Sequence, residues 1–168
     1  FVTGGHMART MWLACLGCGL VAGPVLAQPV RGIDDAELRA ARADGEWLTH
    51  GGDYAETRYS PLDEIDAGNV GRLELAWSVE VGSEDGKQES TPLVADGVLY
   101  ASTTWNVLFA IDLRTHELKW IWDPGVVRGR DMGGPRYCCG PVNRGPALYG
   151  DKVYTGIIDG RLAALDRE

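Results

Sequence analysis

Two stretches of this chain carry one pattern at a single fixed spacing, and that repeat restricts the fold more than any other feature. Pro92-Leu-Val-Ala-Asp-Gly-Val-Leu-Tyr100 lies over Pro146-Ala-Leu-Tyr-Gly-Asp-Lys-Val-Tyr154, with both prolines and both tyrosines matched at an offset of 54. The register holds further on. Val107-Leu-Phe-Ala-Ile-Asp112 falls over Arg161-Leu-Ala-Ala-Leu-Asp166 at the same offset, with Trp105-Asn106 over Asp159-Gly160 at a tight turn. One alternating segment arises by chance, whereas three in register do not. A period of roughly 50 residues with about four short strands per unit is the signature of a β-propeller blade.

The rest of the pattern agrees with an all-β chain carrying a short N-terminal helix. Short strands are expected near 91–94, 98–103, 107–111, 117–121, 146–149, 152–157 and 161–165, and Leu73-Glu-Leu-Ala-Trp-Ser-Val-Glu-Val81 alternates as a half-buried strand does. Asp34-Asp35-Ala-Glu-Leu-Arg-Ala-Ala-Arg-Ala43 is the one helix expected, with acidic residues at its positive end and Asp44-Gly45 to stop it. A hydrophobic content of 45 % with 23 glycines and six tryptophans suits a globular β-rich domain. A net charge of −8, with 16 Lys and Arg that nowhere cluster, argues against nucleic acid as a partner.

The N-terminal region predicts export. Phe1 to His6 precede the plausible start at Met7 and are set aside, and Met7-Ala-Arg-Thr is a short positive segment followed by an apolar run to Val25. Val25-Leu-Ala27 places small residues where a signal peptidase cuts, which predicts cleavage after Ala27, a signal peptide over 7–27 and a periplasmic mature chain. The run is short and broken by Gly17, Gly19, Gly23 and Pro24, so an integral membrane anchor is not expected. Cys15 and Cys18 lie inside this segment; Gly19 follows where a haem-attachment motif needs His, and a lipoprotein cysteine lacks the usual aliphatic residue three places upstream. The mature chain then holds only Cys138 and Cys139, within Arg136-Tyr-Cys-Cys-Gly-Pro-Val-Asn-Arg-Gly145. In an oxidising compartment these two pair with each other or with another chain, and two free buried thiols are the third alternative. A bond between neighbours is strained, since adjacent Cα atoms lie about 3.8 Å apart.

Ala110-Ile-Asp-Leu-Arg-Thr-His-Glu-Leu-Lys-Trp120 resembles the tryptophan-docking motif of quinoprotein propellers, except that His116 stands where Gly is usual. Asp112 is placed to bond turn amides and Trp120 to pack flat between blades, reasons that need no ligand. Trp77 is placed to act similarly at the end of an earlier strand. The second copy begins at Ala164-Leu-Asp166 and stops at Glu168, so the chain is expected to be cut within a blade. Together with the cysteine pair, Gly45-Glu-Trp-Leu-Thr-His-Gly-Gly-Asp53, Thr57-Arg-Tyr-Ser-Pro-Leu62, Asn69-Val-Gly-Arg-Leu-Glu-Leu-Ala-Trp77 and Gln88-Glu-Ser-Thr-Pro92 make residues 32–168 resemble the pyrroloquinoline-quinone (PQQ)-dependent alcohol dehydrogenases. The resemblance implies the first blades of an eight-bladed quinoprotein propeller.

It also implies roles. Cys138 and Cys139 would form a disulfide wall of a PQQ slot, Arg144 would contact the quinone oxygens, Glu89 would lie near a cofactor carboxyl or quinone edge, and Val142 would touch the cofactor. Taken singly, these residues also suit a surface ion pair, a solvated loop and simple packing. The catalytic aspartate and the calcium ligands would lie beyond Glu168, so PQQ and Ca2+ are the expected cofactors with no metal ligand or catalytic base within this chain, and a haem c domain is left open. A small alcohol would be the substrate and a cytochrome c-type protein the electron acceptor. The chain alone is expected to be inactive. A non-catalytic propeller scaffold of the outer-membrane assembly type is the alternative, and it leaves Cys138-Cys139, Arg144 and Glu89 without a purpose. A sugar dehydrogenase of related fold is disfavoured by the cysteine pair.

Overall fold

Strand pairing follows the repeat. In the computed structural model, which describes residues 30–40, 45–82, 88–128 and 140–168, the first unit is an antiparallel sheet of β1 (Leu93–Ala95), β2 (Val98–Ser102), β3 (Leu108–Asp112) and β4 (Glu117–Trp122), in that spatial order. The second is a sheet of β5 (Ala147–Tyr149), β6 (Lys152–Gly156) and β7 (Leu162–Asp166). The offset reaches the ladder itself: Leu93 pairs with Tyr100 and Tyr100 with Ala110, as Ala147 pairs with Tyr154 and Tyr154 with Ala164. Asn106 (φ 63°) and its counterpart Gly160 (φ 95°) both take the left-handed conformation that reverses the chain. The signal segment and Cys138-Cys139 lie outside the described residues.

Alternation along each strand separates two faces. Leu93, Ala95, Val98, Tyr100, Leu108 and Ala110 point to one side, where Leu148 and Val153 of the second sheet join them together with Ile33, Leu38 and Leu48. This core lies between the two blades. Trp120 packs partly buried against it, its ring 6.2 Å from that of Tyr100 and tilted by 44°. On the opposite face Ala101, Phe109 and Ile111 form a smaller cluster covered by Val79 and Val81.

Two expected elements are realised differently. The helix is α1 (Asp35–Arg39), shorter than the 34–43 expected. Asp34 caps it, its Oδ1 accepting from Ala36 N at 2.8 Å and Glu37 N at 3.0 Å while Glu37 Oε2 accepts from Asp34 N. By Ala40 the backbone is already extended. Leu38 is its one buried residue, and a single apolar anchor does not sustain further turns of a costly-to-nucleate helix. The Leu73–Val81 segment keeps its alternation but joins no ladder among the described residues. Val79 and Val81 are seated, whereas Leu73 and Leu75 are 61 % and 85 % exposed. Alternation decides which side chains share a face; a ladder additionally needs a neighbouring strand.

His116 shows why glycine is usual at its position. Its φ is 61°, a left-handed conformation that costs a residue with a Cβ roughly 1–2 kcal/mol. Its ring stacks on Trp77, with centroids 4.7 Å apart and planes 13° from parallel. Asp112 performs its expected task, Oδ1 accepting from Arg114 N at 2.8 Å and Thr115 N at 3.4 Å. The hydrogen bond from the Arg114 side chain, followed by these amides, holds the Asp112 carboxyl far below the usual range.

The two blades are also joined by a buried cation. Arg167, directly after β7, has a fully buried side chain. Its Nη2 donates to Asp96 Oδ2 at 2.7 Å and its Nη1 to Arg31 O at 2.7 Å, and its guanidinium lies over the Tyr100 ring at 5.7 Å. Arg31 adds a bond from Nε to Asp96 Oδ1 at 3.1 Å and pairs with Glu46 and Glu37. Partial burial pushes the Asp96 carboxyl up, but hydrogen bonds from Arg167 and Arg31 and their charges outweigh it, leaving Asp96 below its ordinary 3.8.

Two outcomes are expected. Asp96→Asn leaves the Arg167 guanidinium buried against a neutral partner and should cost about 3 kcal/mol in urea unfolding, the low end for a broken buried pair. Because the Asp96 value is depressed, its contribution is full above 3.8 and is lost as pH falls through the folded-state value, so acidification from about pH 6 to about pH 3 should lower the urea midpoint of the parent more than that of Asp96→Asn. His116→Ala keeps the left-handed backbone and loses the stack, and should destabilise by about 1 kcal/mol; His116→Gly relieves the backbone and should fall within about 0.5 kcal/mol of the parent, measured the same way.

Candidate cofactor-binding site

The segments that enter β1 and β5 lie side by side. They are tied directly. Thr91 N–H, in the segment before β1, donates to Arg144 O, in the segment before β5, at 2.9 Å. This brings two residues 55 positions apart together as an ion pair, Arg144 Nη2 standing 3.3 Å from Glu89 Oε2. The Arg144 side chain is 77 % exposed and that of Glu89 is 37 % exposed. Val142 is half-buried in the same loop. Of the five residues expected at the site, Glu89, Val142 and Arg144 are gathered on one end of the blades; Cys138 and Cys139, next in sequence, fall outside the described residues.

The approach of the two segments depends on Gly145. Its φ is +117°, and a Cβ there would meet Thr91 O at 2.6 Å. Only a residue without a side chain lets the β5 entry lie this close to the β1 entry. On the other flank, Trp105 N–H, in the β2–β3 connection, donates to Pro141 O at 2.9 Å.

The residues that hold this loop are ones to which the sequence pattern assigns no role. Asn143 Oδ1 accepts from Gly145 N at 2.7 Å and from Ser102 Oγ at 3.1 Å, and its Nδ2 donates to Gly156 O at 3.1 Å and Thr155 Oγ1 at 3.4 Å. Ser102 N–H donates to Ser90 Oγ at 3.0 Å, and the Gln88 side-chain amide donates to Ser102 O. Asn106 makes a second bridge, from Nδ2 to Gly156 O at 3.1 Å, and accepts from Ile158 N at 2.9 Å. Ser102, Asn106 and Thr155 are all buried. The one signal in the sequence is the Asn-Arg-Gly turn itself, since asparagine commonly bonds backbone two residues on.

Backbone and side chain of Arg144 are therefore treated differently. The backbone is fixed on both sides, while the guanidinium has, among the described residues, one exposed ion-pair contact, of a kind contributing about 0–1 kcal/mol. Such a group exchanges partners readily, and its planar fork suits carboxylate or quinone oxygens. That donor chemistry fits PQQ, a flat quinone bearing carboxylates.

The PQQ-dependent β-propeller domain of glucose/ethanol/alcohol dehydrogenases matches residues 47–168. The chain belongs to this family. It is 48 % identical over 142 residues to quinohemoprotein alcohol dehydrogenase ADH IIB of Pseudomonas putida, covering 84 % of this chain and 20 % of that protein. It is 47 % identical over 124 residues to the 1-butanol dehydrogenase (cytochrome c) of Thauera butanivorans, covering 74 % of this chain and 17 % of the relative. The crystal structure of the quinohemoprotein alcohol dehydrogenase of Comamonas testosteroni superposes with a TM-score of 0.72 at 50 % identity, covering 80 % of this chain and 20 % of that one. The chain thus spans about a fifth of the length of these relatives. The family bears out the quinoprotein propeller read from the repeat and motifs.

Among the described residues no group of three or more His, Cys, Asp and Glu is placed to hold a metal ion, and no helix is long and apolar enough to cross a membrane. Gly145→Ala tests the close approach. It should destabilise by about 2 kcal/mol or more, because the clash is with backbone at a left-handed φ, and it should deprotect the Thr91 amide in hydrogen exchange.

Proposed function

We propose that this chain forms one wall of the quinone site in an exported, calcium-dependent PQQ dehydrogenase that oxidises alcohols to aldehydes and passes electrons to a cytochrome c-type acceptor. The observation that carries this reading is the meeting of Glu89 and Arg144 at the end where β1 and β5 begin. Family membership supports the cofactor, and the 1-butanol and cytochrome c in the name of the Thauera butanivorans relative support substrate class and acceptor.

In this reading Arg144 would face the quinone oxygens, where a cation would stabilise negative charge developing as the alcohol is oxidised. Glu89 supplies a carboxyl at the cofactor edge. Val142 would add apolar contact, and Cys138-Cys139, if joined as a disulfide between neighbours, would offer a wall for stacking. PQQ, when bound, supplies the two-electron acceptor. The base that takes the alcohol proton and the carboxylates for Ca2+ are not assigned to residues of this chain. The mature protein is periplasmic, with cleavage after Ala27.

A chimera tests this directly. Residues 32–168 replace the matching fifth of the Comamonas testosteroni dehydrogenase, and dye-linked alcohol oxidation is measured with PQQ and Ca2+. The chimera should be active, and Arg144→Ala within it should lose on the order of a hundredfold in kcat, as for removal of one preorganised charge-stabilising donor. A folded, secreted chimera that neither retains PQQ nor oxidises alcohol would instead indicate a scaffold propeller.

A further inference from the structure

We infer that Asn143 is the positioning residue of this site: it acts through Arg144, by locking the Pro141–Gly145 loop onto both blades at once. The inference rests on the quinone-site reading for what Arg144 does, and on geometry alone for how Arg144 is held.

The side-chain amide has two acceptor lone pairs and two N–H donors, and all four are used. Both acceptor contacts face the first blade and the loop: Ser102 Oγ at 3.1 Å, at the end of β2, and Gly145 N at 2.7 Å. Both donor contacts face the second blade: Gly156 O at 3.1 Å and Thr155 Oγ1 at 3.4 Å, at the end of β6. The polarity of an amide matches this division, and neither a hydroxyl nor a carboxylate reproduces it. Asp would lose both donors and set a charge against Gly156 O, whereas Ser is too short to reach both blades.

The connection to Arg144 is covalent on one side and hydrogen-bonded on the other. Asn143 and Gly145 flank it, and the bond from Gly145 N closes a turn around the Arg144 peptide. The Arg144 carbonyl accepts from Thr91 N at 2.9 Å. Ser102 carries the same constraint to the other half of the pair, since its N–H donates to Ser90 Oγ beside Glu89. One amide thus sets the backbone under the cation and, through Ser102, the strand end against which the carboxylate segment lies. Among the described residues the guanidinium takes no part in this network and is exposed, paired with Glu89 alone.

The test uses the chimera described above in four versions: parent, Asn143→Ala, Arg144→Ala and the double variant. Hydrogen exchange of the Gly145 and Thr91 amides is followed beside that of β2 and β6, and PQQ is titrated to millimolar concentration against tryptophan fluorescence. In Asn143→Ala the Gly145 and Thr91 amides should exchange on the order of tenfold faster while mid-strand amides of β2 and β6 keep their rates, and PQQ affinity should fall by about tenfold, the scale of one charge-assisted hydrogen bond. The double variant should bind no more weakly than Arg144→Ala, since a residue acting through Arg144 has nothing left to position. Additive losses in the double variant overturn the inference, and so does Asn143→Ala that exchanges and binds as the parent does. If the parent shows no Arg144-dependent PQQ binding, the quinone-site reading fails at this chain, and hydrogen exchange alone decides the inference: local acceleration upholds the lock, and unchanged rates refute it.

Discussion

The pairing of Asp96 with Arg167 is the contact on which the arrangement of the two blades depends. Asp96 sits in the tight turn between β1 and β2, and Arg167 directly follows β7, so one ion pair joins the first hairpin of one blade to the third strand of the next. The guanidinium is fully buried, which without a partner would cost several kcal/mol. Arg31 and Glu46 complete the cluster from the N-terminal segment, with Asp96 N–H donating to Glu46 Oε1 at 2.9 Å. Charge therefore specifies how the blades and that segment meet, while the apolar core around Tyr100 and Val153 supplies most of the attraction.

The opposite end of the blades is fastened around Gly156 by neutral groups, and Arg161 Nη2 also donates there to Pro124 O at 2.9 Å. Gly156 O accepts from both Asn106 and Asn143, using the two lone pairs of one carbonyl to join the β2–β3 connection and the β5 entry to β6. This division has a functional consequence. Ion pairs bury their charges at the end away from the candidate site, whereas amides and hydroxyls at the site end hold the backbone without consuming the guanidinium of Arg144. A rigid support under an exposed, weakly paired cation is the arrangement a site needs if it is to bind an anionic, planar ligand without reorganising.

Much of the blade architecture is legible in the amino-acid sequence. The offset of 54 locates the strands, because each blade solves the same packing problem with the same alternation, and the pairings of Tyr100 and Tyr154 repeat it residue for residue. Glu89 and Arg144 are legible through motif resemblance, and their contact is not, since 55 residues of sequence separate them. Asn143, Ser102 and Asn106 escape a reading of the sequence because a polar residue in a turn or at a strand end carries no mark of what lies across the blade. Leu73–Val81 shows the opposite limit: its alternation is plain, yet its ladder depends on a neighbour that alternation does not name.

The blade repeat, the faces of the strands, the capped N-terminal turn and the residue types at the site are all written in the order of amino acids, because each rests on contacts between near neighbours or on a fixed period. Tertiary packing is what brings Arg167 to Asp96, stacks His116 on Trp77, and lays the Gly145 backbone against Thr91 so that Arg144 meets Glu89. Those contacts join segments tens of residues apart, and no local propensity encodes a distance that exists only once two blades have packed.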